Sequence, residues 1–259
     1  MIWNEFHYFS NALMMQTSTY VLLPDPAAML EHHNRPVPTL YLLHGLSDDH
    51  TCWMRNTRIE QYARKHYVAV VMPAVQRSFY TDMAYGMKYF EFTAKELPAV
   101  LERYFPLSKK REERFAAGLS MGGYGALKLG LRCPNRYAAV ASLSAPTMMH
   151  KSFEESEGHP FDPRELIALF GDSKRLHAGN DNLCRLAEKI DPAKAPKIYM
   201  ACGAEDGLLP VNDEFVKLYG EKLGVEYHTA VGGHMWDFWD DQIRKVLDWL
   251  PLAKVENVW

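Results

Sequence analysis

Short apolar runs that alternate with helical patterns constrain the fold of this chain more than any other feature. Five such runs have the length of strands, at residues 39–43, 68–72, 115–119, 138–143 and 197–203. A strand that is apolar at nearly every position is typical of a parallel sheet that is buried on both faces. Together with a further strand predicted at 226–231, the runs indicate an α/β fold with a mostly parallel central sheet and helices on both faces.

Helical patterns separate these runs, at residues 58–65, 90–104, 123–132, 213–223 and 238–250. Ahead of them, β-branched and aromatic residues alternate in a way that predicts two antiparallel strands, 3–9 and 13–23, at one edge of the sheet. The 259 residues contain no linker-like stretch, so we predict a single domain. The segment 146–190 is long for a connection between two strands and is predicted to form a small cap, with a helix that starts after Asp162 and ends at Gly171.

Composition excludes several classes of function. The formal charge of −3, with both signs mixed along the chain, offers no basic surface for a phosphate backbone, so we predict no nucleic-acid partner. The N-terminus lacks the basic end and unbroken apolar run of a secretory signal, which favours a cytoplasmic location. No apolar stretch approaches the roughly 18 residues that a membrane span needs.

The cysteines and histidines give no sign of a metal site. Cys52, Cys133, Cys184 and Cys202 are scattered, and no C-x-x-C pair or zinc-like histidine spacing occurs. We therefore predict four free thiols and no bound metal.

A serine lies between two glycines directly after the apolar run 115–119, in the sequence Gly118-Leu119-Ser120-Met121-Gly122. This spacing is that of a nucleophile elbow, a sharp strand-to-helix turn that exposes the serine hydroxyl. A serine is a weak nucleophile at neutral pH, so it needs a base within hydrogen-bond reach. We identify Ser120 as the candidate nucleophile.

The loops that follow two later strands supply an acid and a base. Asp206 comes after the run 197–203, and His234 comes between a pair of glycines and the last helical pattern. His234 is predicted to take the proton of Ser120, and Asp206 to orient its imidazole. Glu205 is the alternative acid, but Gly207 allows the tight turn that a short carboxylate needs in order to reach inward. The chain order serine, acid, histidine is that of the α/β-hydrolases.

Two backbone N–H groups are predicted to form the oxyanion hole. The residue after the nucleophile usually supplies one, which here is Met121. We predict Leu46 as the second donor, because it follows His44-Gly45 at the end of the first parallel strand. An ordinary glycine turn is the alternative for that loop.

These motifs resemble the esterase D group of α/β-hydrolases, which takes in S-formylglutathione hydrolases, tributyrin esterases and the feruloyl and acetyl esterases of carbohydrate esterase family 1. The residues that carry the resemblance run through nearly the whole chain: His44-Gly45-Leu46, Trp53, Gly118–Ala126, Gly203–Asp206, Gly233-His234 and Trp236. The resemblance implies a carboxylester or thioester hydrolase without metal or organic cofactor that is often a homo-oligomer. The formylglutathione hydrolases usually carry a cysteine close behind the His-Gly pair, whereas Ser47 and Asp48 stand here, which disfavours a glutathione thioester.

The leading hypothesis is a serine carboxylesterase that acts on short-chain acyl or cinnamoyl-type esters. Thioester hydrolysis, acyl transfer to an alcohol, and an inactive hydrolase fold that serves as a binding module are the alternatives. Trp53, Met148, Met149 and Trp236 are predicted to line the acyl pocket, with core packing as the other possibility for each. Cys52 is interpreted as a packed thiol rather than a redox switch.

Overall fold

The central sheet of the protein has eight strands and is parallel except at one edge. The computed structural model describes residues 1–153 and 162–256, and the side chains of all of these except residues 152 and 153. The strands are β1 Ile2–Ser10, β2 Met15–Leu23, β3 Thr39–Leu43, β4 Ala69–Pro73, β5 Arg114–Leu119, β6 Ala139–Leu143, β7 Lys197–Gly203 and β8 Val225–Ala230. Their order across the sheet is β1-β2-β4-β3-β5-β6-β7-β8. The predicted α/β architecture is confirmed.

The strands pair antiparallel at one edge of the sheet and parallel across the rest of it. β1 and β2 form an antiparallel hairpin, and β2 continues antiparallel against β4. From β4 to β8 all pairs are parallel, and every residue of β3, β4, β5 and β6 is buried. This arrangement aligns the carboxyl ends of β3, β5, β6, β7 and β8 along one edge of the sheet, where α/β folds bind their ligands.

The described residues form helices between and after the strands: α1 Pro26–Glu31, α2 Cys52–Asn56, α3 Ile59–Arg64, α4 Tyr89–Glu91, α5 Leu97–Tyr104, α6 Met121–Arg132, α7 Pro163–Phe170, α8 Ser173–Ala178, α9 Leu183–Lys189, α10 Leu209–Leu223 and α11 Trp236–Trp249. Each predicted helix exists, although α6, α10 and α11 begin two to four residues earlier than the periodicity indicated. Between α4 and α5 the backbone makes a π-helical turn, Phe92–Glu96. Pro98 lies just beyond this turn and has no N–H to give the i−4 carbonyl, which interrupts the regular α pattern.

The connection between β2 and β3 contains the short helix α1, which the sequence patterns above did not predict. Asp25 caps this helix by accepting a hydrogen bond from the N–H of Ala28, and Pro26 occupies its first turn. An Asp-Pro pair of this kind is a helix-start signal, and it was available in the sequence.

The segment 146–190 holds the helices α7, α8 and α9. Residues 154–161 of the predicted cap lie outside the described residues. The predicted helix after Asp162 is confirmed as α7, capped by the Asp162 carboxylate and ended by Gly171 with a φ of 83°. Two further helices were not predicted because each is only six or seven residues long, too short to show a clear period.

Apolar side chains bury both faces of the sheet. One face packs against α5, α6 and the segment before β7, and the other packs against α2, α3 and α11. Among the described helices, none is both long and apolar enough to cross a membrane.

Candidate active site

Ser120 sits at the sharp turn between β5 and α6. Its φ of 51° and ψ of −119° lie in a region that non-glycine residues rarely adopt, at a cost of about 1–3 kcal/mol. The turn depends on Gly122, where an added Cβ would lie 2.3 Å from the carbonyl oxygen of Leu43. Gly118 is equally constrained, because its Cβ would lie 2.4 Å from the backbone of Gly122. The predicted elbow geometry is therefore present.

His234 bridges the serine and the acid. Its Nε2 lies 3.0 Å from Ser120 Oγ, and its Nδ1 lies 2.9 Å from Asp206 Oδ2 and 3.2 Å from Oδ1. A carboxylate only accepts hydrogen bonds, so Nδ1 carries the proton and Nε2 is left to accept from the serine hydroxyl. The His234 ring also meets the Trp239 ring edge to face, with centroids 4.9 Å apart.

Asp206 is held as a buried carboxylate. Its side chain is fully buried, and burial by itself would raise its pKa. Hydrogen bonds from His234, from the N–H of Leu208 and from the Ser144 hydroxyl outweigh this effect and lower the pKa of Asp206 below its usual value. Glu205, the alternative acid, is exposed to solvent. The structure thus brings Ser120 and His234 together with Asp206, and Glu205 is not part of this group.

Ser144 is a site residue that the sequence analysis missed. It follows the carboxyl end of β6, and the indole N–H of Trp239 donates to its Oγ at 3.1 Å. An indole N–H can only donate, so the Ser144 hydroxyl keeps its own proton, and this hydroxyl lowers the pKa of both Asp206 and Cys202. Its position after a parallel strand, beside the strand that carries Ser120, was the signal that could have revealed it.

The loop after β3 lies beside the serine. A Cβ added to Gly45 would be 3.7 Å from Ser120 Cβ and 2.5 Å from Leu119 Cδ1, so a larger residue there would push the Leu119 side chain aside. The N–H of Leu46 has no hydrogen-bond partner among the described residues. Met121 is the first residue of α6, a position whose N–H has no partner within its own helix.

Buried His44 fixes the base of this loop. Its Nδ1 donates to the carbonyl of Gly45 at 2.8 Å, and its Nε2 accepts from the N–H of Val75 at 3.1 Å. The hydroxyl of Tyr80 donates to the His44 carbonyl at 2.9 Å. Burial lowers the pKa of His44 to about 4, so the imidazole is neutral at neutral pH.

The low pKa of His44 predicts acid sensitivity. The unfolded chain takes up a proton near pH 6.5 and the folded chain only near pH 4, so the free energy of unfolding falls as the pH drops through this window, by about 3 kcal/mol from this group. Urea unfolding of the wild type and of His44→Asn at pH 7 and pH 4.5 measures the effect. The variant should lose part of the pH dependence, whereas His33→Asn, in an exposed loop, should keep all of it. An identical pH dependence in wild type and His44→Asn would refute the assignment.

The predicted pocket residues lie mostly in the core. Trp53 is fully buried, and its indole N–H donates to the Leu43 carbonyl at 3.1 Å, so it does not form an open wall. Trp236 is half-buried and packs edge to face on Trp53 with ring centroids 5.3 Å apart. Met148 and Met149 are 4% and 2% exposed, which matches the core alternative. Met148 also borders a cavity of about 320 Å³ that includes neither Ser120 nor His234.

The cysteines are all free thiols. Cys52 is buried, and burial raises the pKa of its thiol. Burial likewise raises the pKa of Cys184 to about 11 and that of Cys202 to about 12, so these thiols are protonated at neutral pH. Across residues 1–153 and 162–256, no group of three or more histidine, cysteine, aspartate or glutamate side chains could hold a metal ion.

Comparison with known proteins identifies the family. A family model described as "Putative esterase" matches residues 10–250. The chain belongs to this esterase family. The esterase is 34% identical, over 261 residues, to the acetyl esterase of Caldicellulosiruptor saccharolyticus, a match that covers 95% of this chain and 97% of that relative.

Two solved structures from Staphylococcus aureus are also similar to the esterase. The first is FphF, a fluorophosphonate-binding serine hydrolase with substrate bound, with a TM-score of 0.87 and 31% identity over 96% of this chain and 98% of that one. The second is the apoenzyme of the S-formylglutathione hydrolase FrmB, with a TM-score of 0.84 and 31% identity over the same shares. The esterase therefore has the α/β-hydrolase fold, and the resemblance to the esterase D group is confirmed.

Proposed function

We propose that the chain is a serine carboxylesterase that hydrolyses short-chain acyl or cinnamoyl-type esters through an acyl-enzyme on Ser120. The observation that carries this proposal is the hydrogen-bonded series from Ser120 Oγ through the His234 imidazole to the Asp206 carboxylate. This series gives the serine a base with a fixed tautomer, which is what an alcohol needs to attack a carbonyl. Membership of the esterase family agrees with it.

In the first half of the reaction, Ser120 Oγ attacks the ester carbonyl carbon while its proton passes to His234 Nε2. The tetrahedral intermediate then collapses, the bond to the leaving alcohol breaks, and the alcohol takes the proton from Nε2. In the second half, water attacks the acyl-enzyme and gives its proton to Nε2. Collapse releases the carboxylic acid and returns the proton to Ser120. Asp206 stabilises the imidazolium that forms twice in each cycle.

The backbone N–H groups of Leu46 and Met121 are proposed to hold the oxyanion of both intermediates. Support comes from the close approach of Gly45 to Ser120 and from the position of Met121 at the start of α6. The N-terminal end of α6 also carries partial positive charge, which favours a developing anion.

The segment 146–190 is proposed to be the cap over the site. Arg77 supports this assignment, because it links the loop that carries Leu46 to the cap helix α7. Its guanidinium donates to Ser47 Oγ at 2.7 Å and to both carboxylate oxygens of Glu165 at 2.6 and 2.8 Å. Trp236, half-buried beside His234, is proposed to contact the substrate.

The relatives favour different acyl and leaving groups. The acetyl esterase relative favours small acyl groups on an oxygen ester, whereas similarity to FrmB makes a thioester the alternative substrate. A panel of acetyl, butyryl and cinnamoyl esters with matched thioesters separates these cases. We expect oxygen esters to be hydrolysed with the higher kcat/KM, and Ser120→Ala to lower every rate by at least about 10⁴-fold. Rates that Ser120→Ala leaves unchanged would refute the nucleophile.

Ser144 is proposed to be a positioning residue for Asp206. Ser144→Ala removes one hydrogen bond to a buried carboxylate, so kcat should fall about 10-fold with KM unchanged. Loss of this donor should also raise the pKa of Asp206, which shifts the acidic limb of the pH–rate profile upward. Ser142→Ala is the matched control, because Ser142 is a buried residue of β6 whose Oγ has no hydrogen-bond partner among the described residues. Equal pH profiles for the two variants would contradict this role.

A further inference from the structure

The turn after β3 holds Ser47 in a conformation that is unfavourable for a serine. Leu46 and Ser47 are the central residues of this turn, because the N–H of Asp48 donates to the carbonyl of Gly45 at 3.4 Å. Ser47 has a φ of 69°, and a positive φ at this place in a turn favours glycine or asparagine. A serine keeps such a conformation only where other contacts hold it.

The segment that follows β4 contacts the loop after β3 on both sides of Leu46. Ahead of Leu46, His44 Nε2 accepts a hydrogen bond from the N–H of Val75 at 3.1 Å. Behind Leu46, Ser47 Oγ accepts from Arg77 Nη1 at 2.7 Å. Leu46, whose N–H is a proposed oxyanion donor, thus lies between two residues that one segment holds. Arg77 is the group that fixes Ser47.

The guanidinium of Arg77 holds the cap helix at the same time. Its Nε and Nη2 donate to the two carboxylate oxygens of Glu165 at 2.6 and 2.8 Å. Glu165 lies in the first turn of α7, and its side chain is mostly buried. One planar group therefore makes three hydrogen bonds in two directions, to the loop and to the cap. A lysine ammonium cannot reproduce this arrangement, because only a guanidinium presents its donors in a rigid fork.

The connection that carries Arg77 also contacts the other end of α7. The N–H groups of Ala84 and Tyr85 donate to the carbonyls of Leu169 and Ala168, each at 3.0 Å. These carbonyls belong to the last turn of α7, where helix carbonyls have no partner within the helix. The connection from β4 to α4 therefore contacts α7 at both ends and also contacts the loop after β3. One stretch of chain sets both the placement of the cap helix and the shape of the oxyanion loop.

We propose that Arg77 is a positioning residue of the oxyanion hole, which aims the Leu46 N–H by holding Ser47 and does so fully only while Glu165 contacts it. This role rests on the proposed function, because Arg77 acts through Leu46. Docking of the cap helix and assembly of the oxyanion hole are then one event. Such coupling reserves full stabilisation of the oxyanion for the state in which the cap helix is docked.

The loss of Arg77 should affect kcat rather than KM. Negative charge develops on the carbonyl oxygen only in the transition state, so a misaimed donor weakens transition-state binding and leaves ground-state binding nearly unchanged. Removal of a whole oxyanion donor costs about 10²- to 10³-fold in kcat, and a donor that is displaced but present should cost less. A contact that merely anchored the cap over the substrate would instead raise KM.

Steady-state kinetics on one acetyl ester, with circular dichroism to check each fold, measures this difference. Arg77→Met should lower kcat about 30-fold while KM changes less than about threefold. Arg77→Lys keeps the charge without the fork, so its kcat should still be about 10-fold low. Arg244→Met is the matched control, because Arg244 is 47% exposed against 45% for Arg77 and pairs with Asp241 on α11. It should keep the wild-type kcat. Wild-type kcat in Arg77→Met or Arg77→Lys would overturn the proposal.

Double-mutant cycles show whether Ser47 and Glu165 act through Arg77. In the wild-type background, Ser47→Ala and Glu165→Ala should each lower kcat about 5- to 10-fold. In the Arg77→Met background, each should change kcat by less than about twofold, because the guanidinium that links them is already gone. Equal effects in the two backgrounds would show that these residues act independently of Arg77, which contradicts the proposal.

Inhibition by a trifluoromethyl ketone reports on the oxyanion hole itself. Ser120 Oγ adds to the ketone carbonyl carbon, the serine proton passes to His234 Nε2, and the hemiketal oxyanion occupies the hole. The inhibition constant should rise in Arg77→Met by the same factor by which kcat falls, and it should stay unchanged in Arg244→Met. Equal inhibition of Arg77→Met and the wild type would refute the positioning role alone. A wild type that the ketone does not inhibit would refute Ser120 as the nucleophile and this role with it.

Discussion

An Asp206→Asn variant is expected to lose about 10³- to 10⁴-fold in kcat while its fold is retained. The Leu208 N–H donates to Asp206 Oδ1 at 2.8 Å and would hold the asparagine carbonyl oxygen in that place. The asparagine amide would then occupy the position of Oδ2, which is 2.9 Å from His234 Nδ1. A donor at that point forces the proton of the imidazole onto Nε2, which can then no longer accept the Ser120 proton.

The neighbouring acid provides the matched control for this variant. Glu205 is exposed, so Glu205→Gln should change kcat by less than about twofold. Steady-state kinetics on a single good ester, with circular dichroism to check the fold, decides between the two acids. An Asp206→Asn variant that keeps a tenth or more of the wild-type kcat would contradict the assignment of the acid.

Lys128→Met is expected to lower the free energy of unfolding by about 3–5 kcal/mol. Lys128 lies on α6 with a fully buried side chain. Its Nζ donates to the Phe79 carbonyl at 3.0 Å, to Thr81 Oγ1 at 2.7 Å and to Asp181 Oδ1 at 3.0 Å. Methionine fills similar space but donates no hydrogen bond, so the Asp181 carboxylate loses its ammonium partner, whereas the Phe79 carbonyl still accepts from the Thr81 hydroxyl.

Urea unfolding at pH 7 measures this loss. Burial lowers the pKa of Lys128 to about 8 against the opposing effect of Asp181, so the amine is still mostly charged at pH 7. Lys95→Met is the control, because Lys95 is 60% exposed and only forms a surface pair with Glu91. The control should change stability by about 0.5 kcal/mol or less. Equal losses in the two variants would show that the buried ammonium does not hold these segments together.

Local patterns in the sequence were sufficient for most of the fold. β3 and β7 have the bounds that their apolar runs predicted, because strands buried on both faces carry an unbroken apolar signal. The helix starts were less accurate, since α10 begins four residues before the predicted 213. Its first turn contains Pro210, which the periodicity of the later residues does not reveal.

The sequence could predict those site residues that are recognisable by themselves, as a reactive residue type in the loop after a strand. Ser120, Asp206 and His234 each follow a parallel strand, and the structure brings them together. Ser144 was missed because its importance depends on Trp239, a residue far along the chain that only the fold brings near. For the same reason the sequence could not tell that Trp53 points into the core, where Leu43 accepts its indole hydrogen.

The most direct test of the account is intact-mass measurement after reaction with a fluorophosphonate. A serine activated by His234 should take a single covalent adduct, which peptide mapping should locate on Ser120, and Ser120→Ala should take none. Ser120 alone should become able to attack a carbonyl or phosphonyl centre. An adduct of equal yield on Ser120→Ala, or a wild type that hydrolyses esters while remaining unlabelled, would contradict it.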